Sequence, residues 1–504
     1  MKQLWAPHRN GYVNSNLSPR AALAALLVLT AAAGAADEAT IRVAVGAPGP
    51  TLSPLLLGNN LIATRGAGGP ALYDAQSGEW RPRVLDAAKA LRPTILRFPG
   101  GGKSERYHWE DGVGEQPRNP DYEFGTDEWM QLCETVGAEP MITANWLTGS
   151  PALAARWVEY CNGPAGSPCG KKRANNDHAE PYGVRYWEIG NEPTHTSQIR
   201  DYALTLDAYA HAMKRADPDI LIGGAAWQWR GWMNHYRPDD VPWTETLLGL
   251  AGEHLDFLVI HPYLWISEAP TVDDQFVEAA LAYPEHLDRW LAETREMCVE
   301  AGYPNLPIFA TEYNGYYGGL GMSPALVQHF NGVLLCETLH SFIEAGLEGA
   351  CYWELATIGW DHFANIMLAE GKHFALRPTY HALKLYRDHF SGRLVPSEVD
   401  CESYAAPRVG VIPAQSGVPS LDAVAAVRED GSLVVGCAWR RTGEPCEVSV
   451  EVSGRQIASA TVHALVADGP LATNTSVRTS PAQVSRGVVT FELPPISAAV
   501  VVVD

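Results

Sequence analysis

Positive charge is scarce in this sequence. Its 504 residues include 37 Lys and Arg against 58 Asp and Glu, which gives a formal net charge of -21. Nucleic acids and anionic membranes bind to basic protein faces, so this balance argues against both as partners. A neutral partner such as a glycan stays open, because it needs no opposite charge.

Signatures of metal and nucleotide binding are missing as well. No spacing of cysteine and histidine resembles a zinc site, and no glycine-rich phosphate loop follows the first predicted strand. We therefore predict a protein without a metal or other cofactor. Beyond the first 36 residues, no stretch is apolar enough to cross a bilayer.

The longest apolar run lies near the N-terminus. Residues 21–29 (AALAALLVL) follow Arg9 and Arg20 and precede small residues at 31–36. This pattern predicts a signal peptide at 1–36 and a secreted or periplasmic protein. A membrane anchor is the alternative, although the run is short for a span of about 20 residues.

Nine cysteines are present, which is an odd number. Cys161 and Cys169 bracket a Gly- and Pro-rich loop, and they form a candidate disulfide pair in an oxidising compartment. Cys437 and Cys446 flank a predicted hairpin turn and form a second candidate pair. Four further cysteines lie in apolar contexts that predict buried thiols, namely Cys133, Cys298, Cys336 and Cys351.

The chain is long enough for two domains. Between residues 51 and 392, short apolar runs alternate with helical patterns, which predicts a parallel α/β sheet. Eight strands are expected, at residues 55–59, 94–98, 140–145, 184–189, 220–224, 257–261, 307–314 and 349–353. That number favours a closed (β/α)8 TIM barrel over an open doubly wound sheet.

Residues 393–504 change to short β runs separated by turn residues, which predicts a C-terminal antiparallel β-sandwich. Within residues 37–50, an alternating stretch resembles an exposed edge strand, and we expect it to join the sandwich. Among the barrel helices, a long helical stretch is predicted at 273–301, and a helix that opens with Ser323 and Pro324 is predicted at 323–345.

Two of the predicted barrel strands end in a glutamate. Residues 184–193 (VRYWEIGNEP) form a buried strand that stops at Gly190 and Pro193 and leaves Glu192 at its tip. Residues 307–314 (PIFATEYN) place Glu312 at another tip. Catalytic side chains gather at this end of such barrels, and paired carboxylates there predict glycosidic cleavage. We assign Glu192 as the acid/base and Glu312 as the nucleophile of a retaining mechanism.

Other strand-tip residues are predicted to support these two acids. Arg97 would keep the nucleophile ionised, Asn191 would donate to a sugar hydroxyl, and Trp353 would form an apolar platform for a sugar ring. His261 and Tyr263 would orient Glu312 or contact the sugar. The predicted substrate-binding set is Arg97, Asn145, Asn191, His261, Tyr263 and Trp353. Weaker candidates for sugar contacts are Trp109, Trp146, Trp227, Trp229 and Trp265.

Several motifs resemble those of known glycosidases. The motifs at 186–192 (YWEIGNE) and 311–314 (TEYN) look like the acid/base and nucleophile motifs of the retaining clan A glycoside hydrolases. Those at 96–101 (LRFPGG), 109–114 (WEDGVG) and 157–163 (WVEYCNG) are similar to family 51. The resemblance implies α-L-arabinofuranosidase activity, a barrel with a β-sandwich, a carbohydrate substrate and, as in many members, a homo-oligomer.

The sequence also departs from that family. Gly102 stands where the family usually has asparagine, and Asn59 and Asn60 stand near the place of a sugar-binding glutamate. The family's glutamine at strand eight has no clear match near Trp353. A β-xylosidase or an endo-glucanase of the same clan therefore stays open.

Functions from other classes are also weighed. A non-catalytic carbohydrate-binding protein could use the same scaffold, although the presence of both carboxylates favours an enzyme. A metal-dependent hydrolase on a barrel would need histidine clusters at the strand tips, and His261 alone stands at such a position in the predicted strands.

Overall fold

This computed structural model describes the greater part of the chain. The described residues are 37–46, 49–64, 69–114, 119–226, 242–266, 271–317, 323–358, 362–369, 373–410 and 412–504. The predicted signal peptide lies outside them, as do Trp227, Trp229 and the side chain of Trp265. Within the described part, no helix has the length and apolar character needed to cross a membrane.

Eight parallel strands close into a barrel, which confirms the predicted fold class. They are β1 (Leu55–Asn60), β2 (Ile95–Phe98), β3 (Glu139–Ala144), β4 (Tyr186–Ile189), β5 (Leu221–Ala225), β6 (Phe257–Ile260), β7 (Ile308–Tyr317) and β8 (Gly349–Tyr352). Each strand pairs with the next, and β8 pairs with β1, so the ring has no open edge. Strands β2, β4 and β6 are buried along their whole length, as expected for a parallel sheet covered by helices.

Helices return the chain from each strand to the next. They are α1 (Pro82–Leu91), α2 (Thr126–Val136), α3 (Pro151–Asn162), α4 (Ile199–Ala216), α5 (Trp243–Ala251), α6 (Pro284–Glu300), α7 (His329–Glu344) and α8 (Pro378–His389). Shorter helical segments are Gly69–Leu72, Gly101–Arg106, Trp109–Gly112, Pro168–Asn175, Pro193–His195, Gly252–His254, Asp274–Ala280 and Pro324–Val327.

Two of the predicted helical stretches are interrupted. The helix expected at 273–301 is divided into Asp274–Ala280 and α6, because Pro284 has no N–H for a continuing helix and instead occupies the first turn of a new one. The helix expected at 323–345 opens with a 3-10 turn, Pro324–Val327, before α7 begins at His329.

The interior of the barrel is apolar below and polar at the mouth. Its apolar floor is made by Ile95, Met141, Tyr186, Phe257, Val259, Phe309 and Cys351. Polar side chains buried nearer the strand tips are Asn60, Arg97, Thr143, Glu188, His261, Thr311 and Glu312. Buried charges are stable only when they are paired and hydrogen-bonded, so this upper layer has to be a connected network.

Two sheets form the C-terminal sandwich. In order, one contains Ser397–Asp400, Asp37–Ala44, Cys446–Ser453, Val488–Leu493 and Gln483–Ser485. The other contains Arg393–Val395, Leu421–Val427, Leu433–Trp439, Ser497–Val503, Ala460–Val466 and Ser476–Pro481. Smaller β elements are Tyr73–Asp74 with Glu79–Trp80, Tyr263–Ile266 beside β7, Ala356–Ile358 with Ile366–Ala369 and His373–Leu376, and Ser403–Ala406 with Gln415–Pro419.

The N-terminal strand Asp37–Ala44 lies inside its sheet and is not the exposed edge strand that was predicted. It runs parallel to Cys446–Ser453 on one side and antiparallel to Ser397–Asp400 on the other. The alternation in its sequence arises because one face, with Ile41 and Val43, packs into the sandwich core while the other faces outwards.

The two predicted disulfides are wrong, because all nine cysteines are free. Cys161 lies in α3 and Cys169 in the first turn of the following helix, and both pack into the main core. Cys437 and Cys446 lie on strands of opposite sheets, since the chain between them crosses the sandwich and makes no hairpin. The cysteines predicted to be buried thiols are buried, namely Cys133, Cys298, Cys336 and Cys351.

Candidate active site

A fully buried arginine connects the polar side chains at the barrel mouth. Arg97, in β2, donates through Nε to Glu188 Oε2 at 2.5 Å and through Nη1 to Glu312 Oε1 at 2.8 Å. Its other bonds reach Asn60 Oδ1 at 2.9 Å and Asn191 Oδ1 at 2.8 Å. Because the guanidinium is planar and its donors are fixed, Arg97 sets the positions of side chains from four parts of the mouth.

Glu192 follows β4 in a left-handed backbone conformation, with φ 48° and ψ 48°. Gly190, just before it, has φ 75°, and a Cβ there would come within 3.1 Å of Trp146 and Glu105. The backbone therefore turns sharply after β4, and Pro193 begins a short 3-10 turn. This turn leaves the Glu192 side chain 20% exposed at the mouth.

Glu105 was not predicted, yet it holds the turn that carries Glu192. Its Oε1 accepts the N–H of Asn191 at 2.7 Å, and its Oε2 accepts those of Trp146 and Leu147 at 3.0 and 2.9 Å. One carboxylate thus ties the segment after β3 to the segment after β4. The sequence carries no signal for this role, which depends on how a loop distant in sequence folds back.

Asn145, predicted to bind substrate, makes hydrogen bonds within its own loop. Its Oδ1 accepts the N–H groups of Thr148 and Gly149, both at 2.9 Å. Its Nδ2 donates to Tyr107 O at 3.2 Å and to Thr148 Oγ1 at 2.9 Å. The side chain is therefore engaged within the protein, and its contact with a sugar stays a prediction.

Glu312, in β7, is surrounded by hydrogen-bond donors. Besides the bond from Arg97, its Oε2 accepts the hydroxyl of Tyr263 at 2.9 Å. Burial raises the pKa of Tyr263, so the phenol keeps its proton and can donate. Burial also raises the pKa of Glu312, while the Arg97 charge and the hydrogen bond from Tyr263 lower it. Donors on both oxygens stabilise the ionised form, which suits a nucleophile.

His261, after β6, connects the two acids of the mouth to the buried network. Its Nδ1 lies 3.0 Å from Glu192 Oε1, and its Nε2 lies 3.0 Å from Thr311 Oγ1. The Thr311 hydroxyl donates to Glu188 Oε1 at 3.3 Å, because a carboxylate bound to Arg97 has only acceptor atoms. With its proton directed to Glu188, the hydroxyl can only accept from His261, so Nε2 carries the imidazole proton.

The contact with His261 favours one protonation state of Glu192. Burial lowers the pKa of His261, so the ring is neutral near pH 7 and its Nδ1 presents a lone pair. Glu192 Oε1 faces that lone pair and makes a hydrogen bond to it only as a protonated carboxyl. Burial also raises the pKa of Glu192, against the opposing effects of His195 and Arg97. The geometry therefore favours a protonated Glu192 beside an ionised Glu312.

The two acids are close enough to act on one atom. A carboxylate oxygen of Glu192, a carboxylate oxygen of Glu312 and a ring nitrogen of His261 all lie within 4.8 Å of one another. Retaining glycosidases place their carboxyl groups about 5–5.5 Å apart, and inverting ones place them about 6.5–9.5 Å apart. A divalent cation would suit these donors by type, but the Arg97 charge, 2.8 Å from Glu312, opposes it.

Trp353, directly after β8, lies partly exposed beside the loop that follows β2. A Cβ on Gly101 would come within 2.4 Å of its ring, and one on Gly100 within 3.1 Å. The two glycines therefore make room for the indole, which a pattern in either segment alone does not reveal. Of the weaker candidates, Trp109 is buried in the core, whereas Trp146 packs against the core and is partly exposed.

The structure brings together Arg97, Asn191, Glu192, His261, Tyr263 and Glu312. Sequence reasoning missed the supporting residues Asn60, Glu105, Thr143, Glu188 and Thr311. Glu188 carried a usable signal, because a charged residue within an otherwise apolar buried strand requires a partner. The others are ordinary polar residues whose roles depend on the closed barrel.

Two family models match the chain. One, described as "Alpha-L-arabinofuranosidase 1 domain", matches residues 87–246, and the other, "Alpha-L-arabinofuranosidase C-terminal domain", matches residues 355–497. The two candidate catalytic acids are not both covered by these matches. Glu192 lies within the first match, and Glu312 lies in the segment between the two matches.

Named proteins are similar over parts or most of the chain. A probable α-L-arabinofuranosidase C of Aspergillus flavus is 34% identical over 199 residues, which cover 35% of this chain and 39% of that protein. The chain thus spans about two fifths of the length of this relative. An intracellular exo-α-L-arabinofuranosidase of Bacteroides ovatus is 23% identical over 413 residues, covering 74% of this chain and 75% of that protein.

Solved structures share the whole architecture. The family 51 α-L-arabinofuranosidase of Thermotoga petrophila RKU-1 superimposes with a TM-score of 0.79 at 25% identity, covering 93% of this chain and 100% of the other. The described barrel and sandwich together therefore match an architecture already seen in a family 51 α-L-arabinofuranosidase.

Proposed function

This chain belongs to glycoside hydrolase family 51, and we propose that it removes non-reducing-end α-L-arabinofuranosyl groups from plant-type polysaccharides or oligosaccharides by double displacement. The observation that carries the proposal is the convergence of Glu192 and Glu312 oxygens within 4.8 Å at the barrel mouth. The names of the similar proteins support the choice of sugar, and the spacing of the two carboxyl groups supports a double displacement.

In the first step, Glu312 attacks the anomeric carbon while Glu192 gives its proton to the departing glycosidic oxygen. The bond from carbon to that oxygen breaks as the bond to Glu312 forms, which leaves a glycosyl ester. Arg97 and Tyr263 hold the two Glu312 oxygens at 2.8 and 2.9 Å, so the attacking carboxylate enters the reaction already oriented.

In the second step, Glu192 is a carboxylate and removes a proton from water, which attacks the same carbon and releases Glu312. The proton returns to Glu192, where His261 Nδ1 again accepts it in a hydrogen bond. Two inversions at one carbon give overall retention. Asn191 supports the sugar in this scheme, because Arg97 occupies its Oδ1 and leaves its N–H2 group for a sugar hydroxyl.

We also propose that the protein is exported, on the basis of the apolar run at 21–29 and the small residues that follow it. Expression of the full sequence in a bacterial host, followed by N-terminal sequencing of protein from the periplasm or medium, tests this. Cleavage near residue 36 is expected. Retention of the intact chain in the cytoplasm would reject export.

A panel of 4-nitrophenyl α-L-arabinofuranoside, β-D-xyloside and β-D-glucoside tests the activity. We expect turnover of the arabinofuranoside above the others, with NMR showing the first-formed sugar in the retained configuration. An inverted product would reject the double displacement. Turnover of the xyloside or glucoside alone would reassign the sugar, and binding without turnover of any substrate would reject the enzyme.

A further inference from the structure

Two histidines and an aspartate converge on the outer surface of the barrel. Asp207 and His211 lie one turn apart on α4, and His254 ends the 3-10 turn that follows α5. His211 is near the end of α4, and His254 shortly precedes β6. Helices of this fold run opposite to the strands, so the cluster lies at the end of the barrel away from the catalytic mouth.

The three donor atoms form a small triangle. Asp207 Oδ1 lies 2.8 Å from His211 Nδ1 and 2.8 Å from His254 Nε2, and all three atoms lie within 4.8 Å of one another. Ligand atoms of a tetrahedral zinc ion, with bonds of about 2.0–2.1 Å, stand roughly 3.3 Å apart. The two distances from Asp207 Oδ1 fall short of this spacing by about half an ångström, so rotations of these exposed or partly exposed side chains would bring all three atoms onto one ion.

Of the three donor atoms, His211 Nδ1 also lies 3.0 Å from the backbone carbonyl oxygen of Asp207, so this ring turns away from that acceptor when it binds an ion. The printed ion pairs of Asp207 are with the two imidazoles, while the nearby Lys214 pairs with Asp256 at 2.7 Å. Glu253 Oε1 lies 3.7 Å from His254 Nε2, and its side chain is 79% exposed and free to move closer. A Glu253 oxygen is thus within reach as the fourth ligand, and a water molecule is the alternative.

We propose that Asp207, His211 and His254 form a binding site for Zn²⁺ or a chemically similar divalent transition metal ion. Two imidazole nitrogens and a carboxylate suit such borderline ions, whereas Mg²⁺ and Ca²⁺ require sites built of oxygen. The bound ion would link α4 to the 3-10 turn that follows α5. The helices α4 and α5 are neighbours on the outside of the barrel. Its effect is on stability, because no catalytic residue takes part.

Calorimetric titration of the chelator-treated protein with ZnCl₂ tests the proposal. The wild type is expected to bind one equivalent of Zn²⁺ with a micromolar dissociation constant, and MgCl₂ is expected to give no saturable heat. His254→Ala and His211→Ala should each lose that equivalent. Saturating Zn²⁺ should raise the Tm of the wild type by a few degrees and leave that of the variants unchanged.

His178→Ala is the matched control. It removes a partly exposed imidazole whose Nε2 faces one carboxylate, Glu134, at 3.9 Å and whose Nδ1 lies 2.7 Å from Glu180 O, and it should retain the zinc equivalent. Asp207→Asn, which preserves shape, covers the case in which an alanine variant folds poorly, and activity in chelator reports the fold of each variant.

Equal zinc stoichiometry and affinity in the wild type, His254→Ala and Asp207→Asn would overturn the proposal, because the ion would then bind elsewhere. Absence of saturable binding to a folded, active wild type would overturn it too. Neither result touches the glycosidase proposal, whose readout is turnover in the presence of chelator.

Discussion

Two buried arginines in this molecule each bridge a pair of glutamates, yet only one of the networks is placed to do chemistry. Arg97 binds Glu188 and Glu312 at the barrel mouth. Arg440 follows a sandwich strand and reaches two outer helices of the barrel, where its Nε donates to Glu337 of α7 at 3.0 Å and its Nη1 donates to Glu285 of α6 at 2.9 Å.

The difference lies in what stands beside the arginine. At the interface between the sandwich and the barrel helices, Glu337 is fully buried. Burial raises the pKa of Glu337 to about 8, although Arg440 acts in the opposite direction. At the mouth, a second acid, Glu192, faces a neutral imidazole and is 20% exposed. A buried ion pair alone is a structural device. Such an ion pair can take part in catalysis when a proton donor that is accessible to substrate lies close to the carboxylate of the pair.

The largest expected effect comes from changing one carboxylate of each network. Glu312→Gln should lower kcat/KM on the aryl arabinofuranoside by at least about 10³-fold, because the amide cannot form the glycosyl ester. Glu337→Gln removes an equally buried carboxylate that touches no substrate and should leave kcat/KM within about threefold. Steady-state kinetics, with circular dichroism to verify folding, measures both. Similar losses in both variants would show that burial, and not position, explains the effect.

The sequence was sufficient to locate the barrel and its acids. Each barrel strand is a short apolar run between turn residues, and an isolated charge such as Arg97 or Glu312 near the end of such a run has few structural roles. Pro284 carried a visible signal for a helix start, but periodicity on both sides of it masked the break.

Other features required the folded chain. Asn145 was assigned from its position at a strand tip, but its side-chain bonds depend on the loop conformation that places Thr148 and Gly149 around it. The spacing of Cys437 and Cys446 fits a hairpin as well as a crossing between sheets, and only the sheet order distinguishes the two. Relations between distant segments, such as that of Glu105 to β4, leave no periodic trace in a single sequence.

The interface arginine gives the next largest effect, and it should be on stability. Arg440→Met removes the hydrogen bonds to Glu337 and Glu285 and leaves a buried carboxyl without its donor, which should lower the free energy of unfolding by about 3 kcal/mol. Arg441→Met is the control, because Arg441 is 32% exposed and pairs with Glu278 at 3.3 Å, a contact worth about 0–1 kcal/mol. Urea denaturation measures both. Equal shifts of the two midpoints would refute the structural role given to Arg440.

A smaller, pH-dependent effect is expected at the edge of the same interface. Asp422 Oδ2 lies 2.5 Å from His340 Nδ1, and although burial acts to raise its pKa, His340 and Arg440 lower it to about 2. A depressed acid pKa stabilises the fold above the unfolded value near 3.9, and this stability is lost as the pH falls towards 2. Asp422→Asn should therefore cost about 2 kcal/mol at pH 7 and progressively less below about pH 4.

Urea midpoints at pH 7 and pH 3 measure this dependence. Asp400→Asn is the control, because Asp400 is 70% exposed and its pair with Arg42, at 3.2 Å, should matter little at either pH. A cost of Asp422→Asn that is the same at both pH values would mean that His340 does not act on it through charge.

The smallest expected effect tests the proton at Glu192 directly. Thr311→Val removes the hydroxyl that accepts from His261 Nε2, so the ring is free to carry its proton on Nδ1 and donate it to the Glu192 carboxylate. The ionised form of Glu192 is then favoured, and the alkaline limb of the kcat/KM profile should move to lower pH by about one unit.

Thr143→Val is a close control, because Thr143 is equally buried and donates to Glu188 Oε2 at 3.1 Å without contacting His261. It should lower kcat/KM without moving the alkaline limb. The loss in Thr311→Val should also be larger for the 4-nitrophenyl than for the 2,4-dinitrophenyl arabinofuranoside, because the better leaving group needs less help from an acid. Equal displacement of the limb in both variants would trace the effect to Glu188 and Arg97, and the imidazole would then have no part in protonating Glu192.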